Sequence, residues 1–413
     1  MVKDMKKMNF TIIIFLLFFY AFSPVYADDI EEEITQDFAI PTITNYTKEP
    51  SINARYAIVI ERTTNSILYG KKENERCKMA STTKIMTAII VIENGNLNET
   101  VEVSSRAAGT GGSRLGLKKG DKITVSDLLY GLLLCSGNDA AVALAENVSG
   151  SVEKFAEIMN QKAKELNLKD TNFVTPHGLD NEDHYTTPYE LACIANYALT
   201  NKKFLEIVST TNYTITLNGY SKSLHNTNEL LGYLNGVYGV KTGFTNGANR
   251  CLVTAIKRNN LDIICVVLGC DTKKERTRDS IALIEYIYNC YEMKNIREVI
   301  ENEFEFWKKV NSNKFSVIKG KNNSLDFIMD KILCEYYPIR KNSEKNIVLN
   351  IDANYELTAP VDEMTIIGYI EVIYEKKEIL KVMICSSNRI EKKNVKSYLK
   401  EFLQNYISYF NIQ

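Results

Sequence analysis

The chain has 413 residues, and its 50 basic side chains nearly balance 51 acidic ones, for a formal net charge of −1. The chain therefore lacks the excess of basic residues that is typical of nucleic-acid-binding proteins. Its 20 glycines and 7 prolines argue against a fibrous or disordered protein. The length and the 45% of hydrophobic residues predict two domains, each with its own hydrophobic core.

The N-terminal segment, residues 1–27, is predicted to be a secretory signal peptide. Three lysines near the N-terminus precede an apolar run over 10–22, and small residues follow shortly before Asp28. The run has about half of the roughly 20 apolar residues that span a bilayer, which favours a signal over a stable anchor. The mature chain is therefore expected to be secreted. Residues 28–44 are acidic and are expected to form an exposed lead-in.

Two predicted β-hairpins bound the next segment, residues 45–292. The first hairpin joins β-type runs at 56–60 and 66–69, and the second joins runs at 252–256 and 261–268. The sequence between the two hairpins is mostly helical in pattern. Outer strand pairs that enclose a helical block indicate an α+β domain.

Within the helical block, a helix is expected to begin near Ser81 and to end at Gly95, because glycine often terminates helices. Two further helices are expected over 127–134 and 139–147. The Ser-Gly-Asn stretch at 136–138 interrupts them. Polar side chains on such a loop would point into a cleft, although the same stretch is also typical of a plain turn.

Beyond this domain the pattern changes to short alternating runs, at 304–306, 347–351, 365–373 and 379–384. Alternation of apolar and polar residues is typical of strands with one buried face. We therefore expect a small β-rich domain over 293–388.

The last segment, residues 389–413, is predicted to be an amphipathic helix. Its apolar residues recur at steps of three and four, while lysines occupy the other faces. A basic amphipathic helix is typical of association with an anionic membrane surface, and packing on the β domain is the alternative. The apolar positions are Val395, Leu399, Phe402, Leu403, Tyr406 and Phe410, and the lysines are Lys392, Lys393, Lys396 and Lys400.

The chain has nine cysteines, an odd number, and no C-x-x-C pair. Cys135, Cys193, Cys265 and Cys270 lie in apolar stretches, where a thiol behaves as a small hydrophobic group. There are three histidines and no metal-ligand spacing. We therefore predict mostly free, buried thiols, no disulfide framework and no metal site.

Ser81 and Lys84 form an S-x-x-K motif at the start of the first predicted helix. At a helix N-terminus, unpaired N–H groups and the positive end of the dipole stabilise developing negative charge. Lys84 lies one turn later on the same face, and near a second cation such as Lys241 it would lose proton affinity and serve as a base. The alternative for Ser81 is an ordinary N-cap, which Ser151 is expected to be. The other S-x-x-K matches are Ser151/Lys154, Ser316/Lys319 and Ser397/Lys400.

Lys241, Thr242 and Gly243 form the only K-T-G in the chain, just before the second hairpin. At that place they would present an ammonium group, a hydroxyl and a backbone without a side chain along one edge of a substrate.

The order S-x-x-K, S-G-N, K-T-G resembles that of the penicillin-recognising serine acyl-transfer enzymes. Ser136 follows Ser81 by 55 residues, and Lys241 follows Ser136 by 105. More specifically, the chain resembles the low-molecular-mass D-alanyl-D-alanine carboxypeptidases, penicillin-binding proteins of the S11 peptidase type. The likeness covers about residues 45–385, and it rests on the blocks around the three motifs and on Thr171-Asn-Phe-Val-Thr-Pro-His-Gly-Leu-Asp180.

This resemblance implies a β-lactamase/transpeptidase-like domain, in which an antiparallel sheet carries a helical cluster, followed by the family's β-rich domain and membrane anchor. It implies action on peptidoglycan stem peptides at the outer face of the cell membrane or in the cell wall. It also implies covalent binding of β-lactam antibiotics and no cofactor.

The resemblance assigns a role to each motif residue. Ser81 would attack the carbonyl between two D-alanines, and Lys84 would accept its proton. Ser136 would pass a proton to the leaving D-alanine. Asn138 would hold the substrate amide and Lys84, and Lys241 would tune the proton network and steer the anionic substrate.

The remaining roles concern the two ends of the scissile bond. Backbone N–H groups of Ser81 and Phe244 would form the oxyanion hole. Thr242 and Arg276 would hold the terminal carboxylate, with Gly243 keeping the strand edge open. Where many relatives carry an arginine upstream of K-T-G, this chain has Thr227.

Two other kinds of protein remain possible from the sequence. A class A-type β-lactamase would need a glutamate that activates water, and Glu190 is the candidate. However, Thr187, Pro188 and Glu190 also fit a helix start with a capping box. A non-enzymatic sensor or scaffold that is acylated by penicillin and stops is the second alternative.

Overall fold

The computed structural model describes residues 48–410, so the predicted signal peptide and acidic lead-in lie outside the described residues. The chain divides into two compact units, the first ending at Asn289 and the second beginning at Cys290. All nine cysteines lie within the described part of the chain, and they are free thiols.

The first unit contains a five-stranded antiparallel sheet, and both predicted hairpins belong to this sheet. The strands of this unit are β1 (Tyr56–Glu61), β2 (Ile67–Lys71), β3 (Thr100–Glu102), β4 (Lys122–Thr124), β5 (Asn212–Leu217), β6 (Tyr220–His225), β7 (Val237–Thr245), β8 (Asn249–Arg258) and β9 (Leu261–Cys270). The sheet has the order β2-β1-β9-β8-β7. Strands from the two ends of the domain therefore pair directly in its centre, and β7, which carries the K-T-G, lies at one edge.

Several helices of the first unit form a cluster around one largely apolar helix. The helices of this unit are α1 (Lys84–Asn94), α2 (Ser105–Ala108), α3 (Val125–Leu133), α4 (Asn138–Ser149), α5 (Val152–Glu165), α6 (Pro188–Ala198), α7 (Lys202–Val208) and α8 (Lys273–Cys290). Helix α1 packs against α3, α4, α5 and α6, and its residues 84–91 are all buried. A helix with buried residues on all its faces is surrounded by its neighbours, so α1 forms the core of the cluster.

The predicted helix boundaries in this cluster are largely confirmed. Gly95 caps α1, where its N–H donates to the Val91 carbonyl oxygen at 2.7 Å. Its backbone is extended there, with φ −98° and ψ 156°, and not left-handed. The two helices on either side of the Ser-Gly-Asn stretch are also present, as α3 and α4.

The second unit is mainly β structure. Its strands are β10 (Tyr291–Asn295), β11 (Ser316–Ile318), β12 (Phe327–Met329), β13 (Tyr336–Arg340), β14 (Ile347–Ala353), β15 (Glu356–Thr358), β16 (Ile366–Tyr374) and β17 (Lys377–Ser386), and its helices are α9 (Ile296–Asn311) and α10 (Val395–Phe410). Four of these strands form an antiparallel sheet in the order β12-β17-β16-β14.

The prediction of a strand at 304–306 is wrong, because these residues belong to α9. Ile296, Ile300 and Phe304 recur every four residues and are buried on one face of this helix, whereas Phe306 is exposed. Three alternating residues fit both periods, and only the longer window distinguishes the helical spacing from a strand.

Residues just before the C-terminal helix belong to the β fold. Ile390 is buried in the core of the second unit and forms a β-bridge with Val361. Helix α10 begins only at Val395, six residues after the predicted boundary at 389. The described apolar residues of its predicted stripe are 50–84% exposed, so they do not pack on the β structure. Among residues 48–410, no helix is long and apolar enough to cross a membrane.

Candidate active site

Ser81 lies on a 3-10 turn, residues 80–83, that leads directly into α1. Its side chain makes no capping hydrogen bond to this turn or to α1, so the alternative of an ordinary N-cap is wrong. Ser151, in contrast, caps α5 as expected, because its Oγ accepts from the Lys154 N–H at 3.2 Å. The Ser81 hydroxyl is instead 2.6 Å from the Lys84 ammonium nitrogen.

Lys84 is completely buried, and three oxygens surround its Nζ. Nζ lies 2.6 Å from Ser81 Oγ, 2.7 Å from Asn138 Oδ1 and 3.0 Å from the carbonyl oxygen of His177. Burial disfavours the charged form of an amine, and the surrounding oxygens fix the direction of its hydrogens. The structure thus brings together the predicted base and nucleophile.

The Ser-Gly-Asn stretch joins α3 to α4 and contributes two buried side chains. Ser136 adopts a left-handed backbone conformation, with φ 61°, and lines the cleft beside Ser81. Asn138 is the first residue of α4, and its amide nitrogen donates to the Gly111 carbonyl oxygen at 2.8 Å. With its amide oxygen on Lys84, Asn138 connects the loop to the base.

The K-T-G residues occupy the middle of β7, beside the 3-10 turn that carries Ser81. Lys241 is buried, and its Nζ donates to the Thr242 carbonyl oxygen at 3.0 Å. The hydroxyls of Thr242 and Thr227 are 2.8 Å apart. Thr227 is therefore in direct contact with the K-T-G.

Gly243 is required by the close approach of two backbones. A Cβ added here would lie 3.1 Å from the Ser81 nitrogen and 3.2 Å from both the Ala80 Cβ and the Thr82 nitrogen. Phe244 follows immediately, and the guanidinium of its cross-strand partner Arg250 lies 3.7 Å from the centre of its ring. The N–H groups of Ser81 and Phe244 thus belong to two segments held in contact.

Replacement of Gly243 by alanine is expected to lower the acylation rate of Ser81 by about ten- to a hundredfold, since it moves β7 by a few tenths of an ångström. The measurement is the rate of labelling by a fluorescent penicillin. Gly111→Ala is the matched control, because an added Cβ there meets nothing within 4 Å. Equal labelling rates of the two variants would contradict the expectation.

The cleft encloses about 400 Å³, and its walls carry positive charge. Arg114, Lys222, Arg250 and Arg276 all line it, whereas no Asp or Glu within residues 48–410 does. Such walls raise the local concentration of an anionic ligand. In the same part of the chain, no cluster of three or more His, Cys, Asp or Glu is placed to hold a metal ion.

The loop that follows α5 contributes two residues that the sequence analysis quoted without assigning a role. The carbonyl oxygen of His177 accepts from Lys84. Gly178 has φ 86°, and an added Cβ would lie 2.0 Å from the Ala80 carbonyl oxygen. The loop therefore packs closely against the turn that carries Ser81. A contact made by a backbone carbonyl has no residue-type signal in the sequence.

Two buried histidines support the same turn as neutral side chains. Burial, and secondarily the charge of Lys84, lowers the pKa of His177 to about 3. Burial lowers the pKa of His184 to about 4, and its Nε2 is 2.8 Å from Thr83 Oγ1. Both rings therefore remain neutral at neutral pH and act as hydrogen-bonding groups.

Glu190 lies outside the cleft wall and has a structural role. Its carboxylate accepts from the Lys169 N–H at 2.7 Å and from the Asp170 N–H at 3.0 Å. The Thr187 hydroxyl accepts from the Glu190 N–H at 3.1 Å, with Pro188 at the first helical position. The helix start is confirmed, and a water-activating role for Glu190 has no geometric support.

Arg276 and Thr242 both line the cleft, as a shared carboxylate site requires. The structure adds a partner that the sequence analysis missed, because Arg276 forms an ion pair with Glu229. No spacing rule connects residues 47 positions apart, so nothing in the sequence indicated this pair.

Known proteins with similar sequence or structure share this architecture. Residues 43–272 match the family described as D-alanyl-D-alanine carboxypeptidase, and residues 305–392 match the penicillin-binding protein 5 C-terminal domain. The D-alanyl-D-alanine carboxypeptidase DacF of Bacillus subtilis is 35% identical over 352 residues, which cover 78% of this chain and 89% of that protein.

Two solved structures extend the comparison. Penicillin-binding protein 5 from Haemophilus influenzae has a TM-score of 0.68 and 26% identity, covering 84% of this chain and 99% of its own. The Streptomyces K15 DD-transpeptidase has a TM-score of 0.56 and 35% identity, covering 58% of this chain and 98% of its own.

A buried serine–lysine pair between an antiparallel sheet and a helical cluster is an arrangement typical of serine hydrolases. The chain belongs to the D-alanyl-D-alanine carboxypeptidase family, peptidase family S11. The expected fold class is thereby confirmed, including the β-rich second domain.

Proposed function

We propose that the chain removes the terminal D-alanine from peptidoglycan stem pentapeptides through an acyl-enzyme on Ser81, and that it binds penicillin covalently at the same hydroxyl. The observation that carries this proposal is the 2.6 Å distance between Ser81 Oγ and the buried Lys84 Nζ at the cleft.

Lys84 acts as the base in its neutral form. A neutral amine has two N–H groups and one lone pair. The oxygens of Asn138 and His177 take the two N–H groups, at 2.7 and 3.0 Å, so the lone pair points at the Ser81 hydroxyl. The serine proton can then pass to Nζ as Oγ attacks.

Acylation and deacylation follow from the same arrangement. Ser81 Oγ bonds to the carbonyl carbon between the two D-alanines, and the oxyanion accepts from the N–H groups of Ser81 and Phe244. The bond to the leaving nitrogen breaks as Ser136 hands it a proton, and Ser136 regains one from Lys84, which holds the proton taken from Ser81, while Lys241 tunes this relay. Water then adds to the ester, giving the shortened peptide and free Ser81.

The positive cleft wall suits the terminal carboxylate that distinguishes this substrate. The Thr242 hydroxyl and the Arg276 guanidinium are the donors proposed for it, and Gly243 lines the same cleft. Asn138 is proposed to hold the substrate amide. Steering by the surrounding basic residues would also favour the carboxylate of a β-lactam.

The test is release of D-alanine from diacetyl-Lys-D-Ala-D-Ala together with labelling by a fluorescent penicillin. We expect both. Labelling without D-alanine release would favour a sensor, and rapid penicillin hydrolysis without release would favour a β-lactamase. Absence of labelling in the native protein would contradict the acyl-enzyme.

The proposed setting is outside the cytoplasmic membrane. The signal peptide at 1–27 would export the chain, the domain at 45–292 would carry the chemistry, and the β-rich domain at 293–388 would follow it in the exported chain. The exposed apolar side chains of α10, with lysines on its other faces, support contact of this helix with an anionic lipid surface.

Truncation after Asn394 is expected to give a folded, active enzyme that no longer sediments with phosphatidylglycerol vesicles, whereas the chain with α10 does. Truncation after Asn388 also removes Ile390 from the core, and we expect it to lower the stability of the second unit by about 2–5 kcal/mol. Thermal unfolding and vesicle sedimentation measure the two effects. Equal vesicle binding with and without α10 would contradict the membrane role.

A further inference from the structure

An ion pair between buried Arg276 and partly buried Glu229 lies at the end of the cleft that is proposed to hold the substrate carboxylate. Arg276 is only 2% exposed yet contributes to the cleft wall. Its Nη2 donates to Glu229 Oε1, and the Thr277 hydroxyl donates to the same oxygen at 2.5 Å. One carboxylate oxygen therefore fixes two consecutive residues of α8.

Glu229 belongs to a segment, residues 227–230, that contacts both the chain just before Ser136 and the K-T-G. The Thr227 N–H donates to the carbonyl oxygen of Leu134, two residues before Ser136, at 3.0 Å, and the Thr227 hydroxyl contacts Thr242. Side-chain turns tighten the segment, since Asn228 Oδ1 accepts from the Leu230 N–H at 3.2 Å. The position of Glu229 is thus set by the same contacts that shape the cleft.

The charge state of the pair follows from its surroundings. Burial of Glu229 by itself would raise its pKa, but the charge of Arg276 and the Thr277 hydroxyl outweigh burial and hold the pKa below its ordinary value. Two buried atoms of the pair, Arg276 Nε and Glu229 Oε2, have no hydrogen-bond partner. The pair is therefore ionised, but one buried polar atom of each partner has no hydrogen bond within the part of the chain that the structure describes.

We infer that Glu229 is a positioning residue that holds the Arg276 guanidinium in place for the terminal carboxylate of the substrate, and so determines the preference for peptides that end in a free acid. The inference rests on the proposed function. It concerns a residue that touches Arg276 and not the substrate, so its effect appears in the discrimination between carboxylate and amide.

The experiment compares diacetyl-Lys-D-Ala-D-Ala with the same peptide ending in an amide. Glu229→Asp keeps the negative charge, but its side chain is one methylene shorter, so the carboxylate moves away from Arg276. We expect the ratio of kcat/KM for the acid peptide over the amide peptide to fall about tenfold. Glu229→Gln keeps the length and an acceptor oxygen for Arg276 and Thr277, and we expect its ratio to stay within about threefold of the wild type or to rise. The amide peptide reports whether each variant is folded and catalytically intact.

Each other outcome is decisive. Unchanged ratios in both variants, or a fall of more than about threefold in Glu229→Gln, whether or not Glu229→Asp also falls, would overturn the positioning role. Equal losses on acid and amide would show a general structural effect and would also overturn it. If the wild-type protein released no D-alanine from the acid peptide, the proposed function itself would fail, whereas an active wild type with insensitive variants contradicts the inference alone.

Discussion

Replacement of Ser81 by alanine is expected to abolish both penicillin labelling and D-alanine release, with a loss of about 10⁴-fold or more. The hydroxyl is the group that would form the covalent bond, and it lies 2.6 Å from the buried amine of Lys84. Alanine leaves the 3-10 turn intact, because the Ser81 side chain makes no capping hydrogen bond. Gel fluorescence and a D-alanine assay measure the two activities.

The chain supplies a matched control for this variant in a second S-x-x-K motif. Ser151 caps α5 and lies outside the cleft wall. Ser151→Ala should cost about 1 kcal/mol of stability and leave both activities intact. Labelling of Ser81→Ala at the wild-type rate would show that the acylated residue lies elsewhere.

Replacement of Lys84 by methionine is expected to slow acylation by about 10²- to 10⁴-fold, the usual contribution of a positioned base. Methionine fills most of the volume of the buried lysine chain without a group that can take the serine proton. The acceptor oxygens of Asn138 and His177 lose a donor, at a cost of about 1–3 kcal/mol each. The removal of a buried amine offsets part of that cost.

The measurement is the second-order labelling rate with a fluorescent penicillin, with thermal unfolding to verify the fold. Lys154→Met is the matched control, because Lys154 belongs to the capped start of α5. A labelling rate near that of the wild type in a folded Lys84→Met protein would remove Lys84 as the base. A pH dependence of acylation identical in both proteins would contradict the role in the same way.

Several features of the fold could be predicted because they depend on short-range patterns. The hairpins β1–β2 and β8–β9 follow from short β-type runs around polar turns, and α1 follows from a long apolar stretch that ends at Gly95. The prediction of a strand at 304–306 is wrong because the pattern is too short. Three residues cannot distinguish a strand from one face of the helix α9.

The contacts of the site differ in how far apart the contacting residues are in the sequence. Ser81 and Lys84 are three residues apart, so helical geometry alone places their side chains together. Glu229, the His177 carbonyl oxygen and the segment at Thr227 act through contacts between distant parts of the chain. A backbone carbonyl has no residue-type signature, and a buried ion pair has no fixed spacing.

The sequence by itself determined the chemical groups of the site and their order, because nucleophile, base and strand edge require particular residue types. Only the tertiary structure decided which glutamate pairs with Arg276, which carbonyl oxygen orients Lys84 and how closely β7 approaches Ser81. These depend on the packing of a sheet edge against a helical cluster, and packing selects distances that local sequence does not encode.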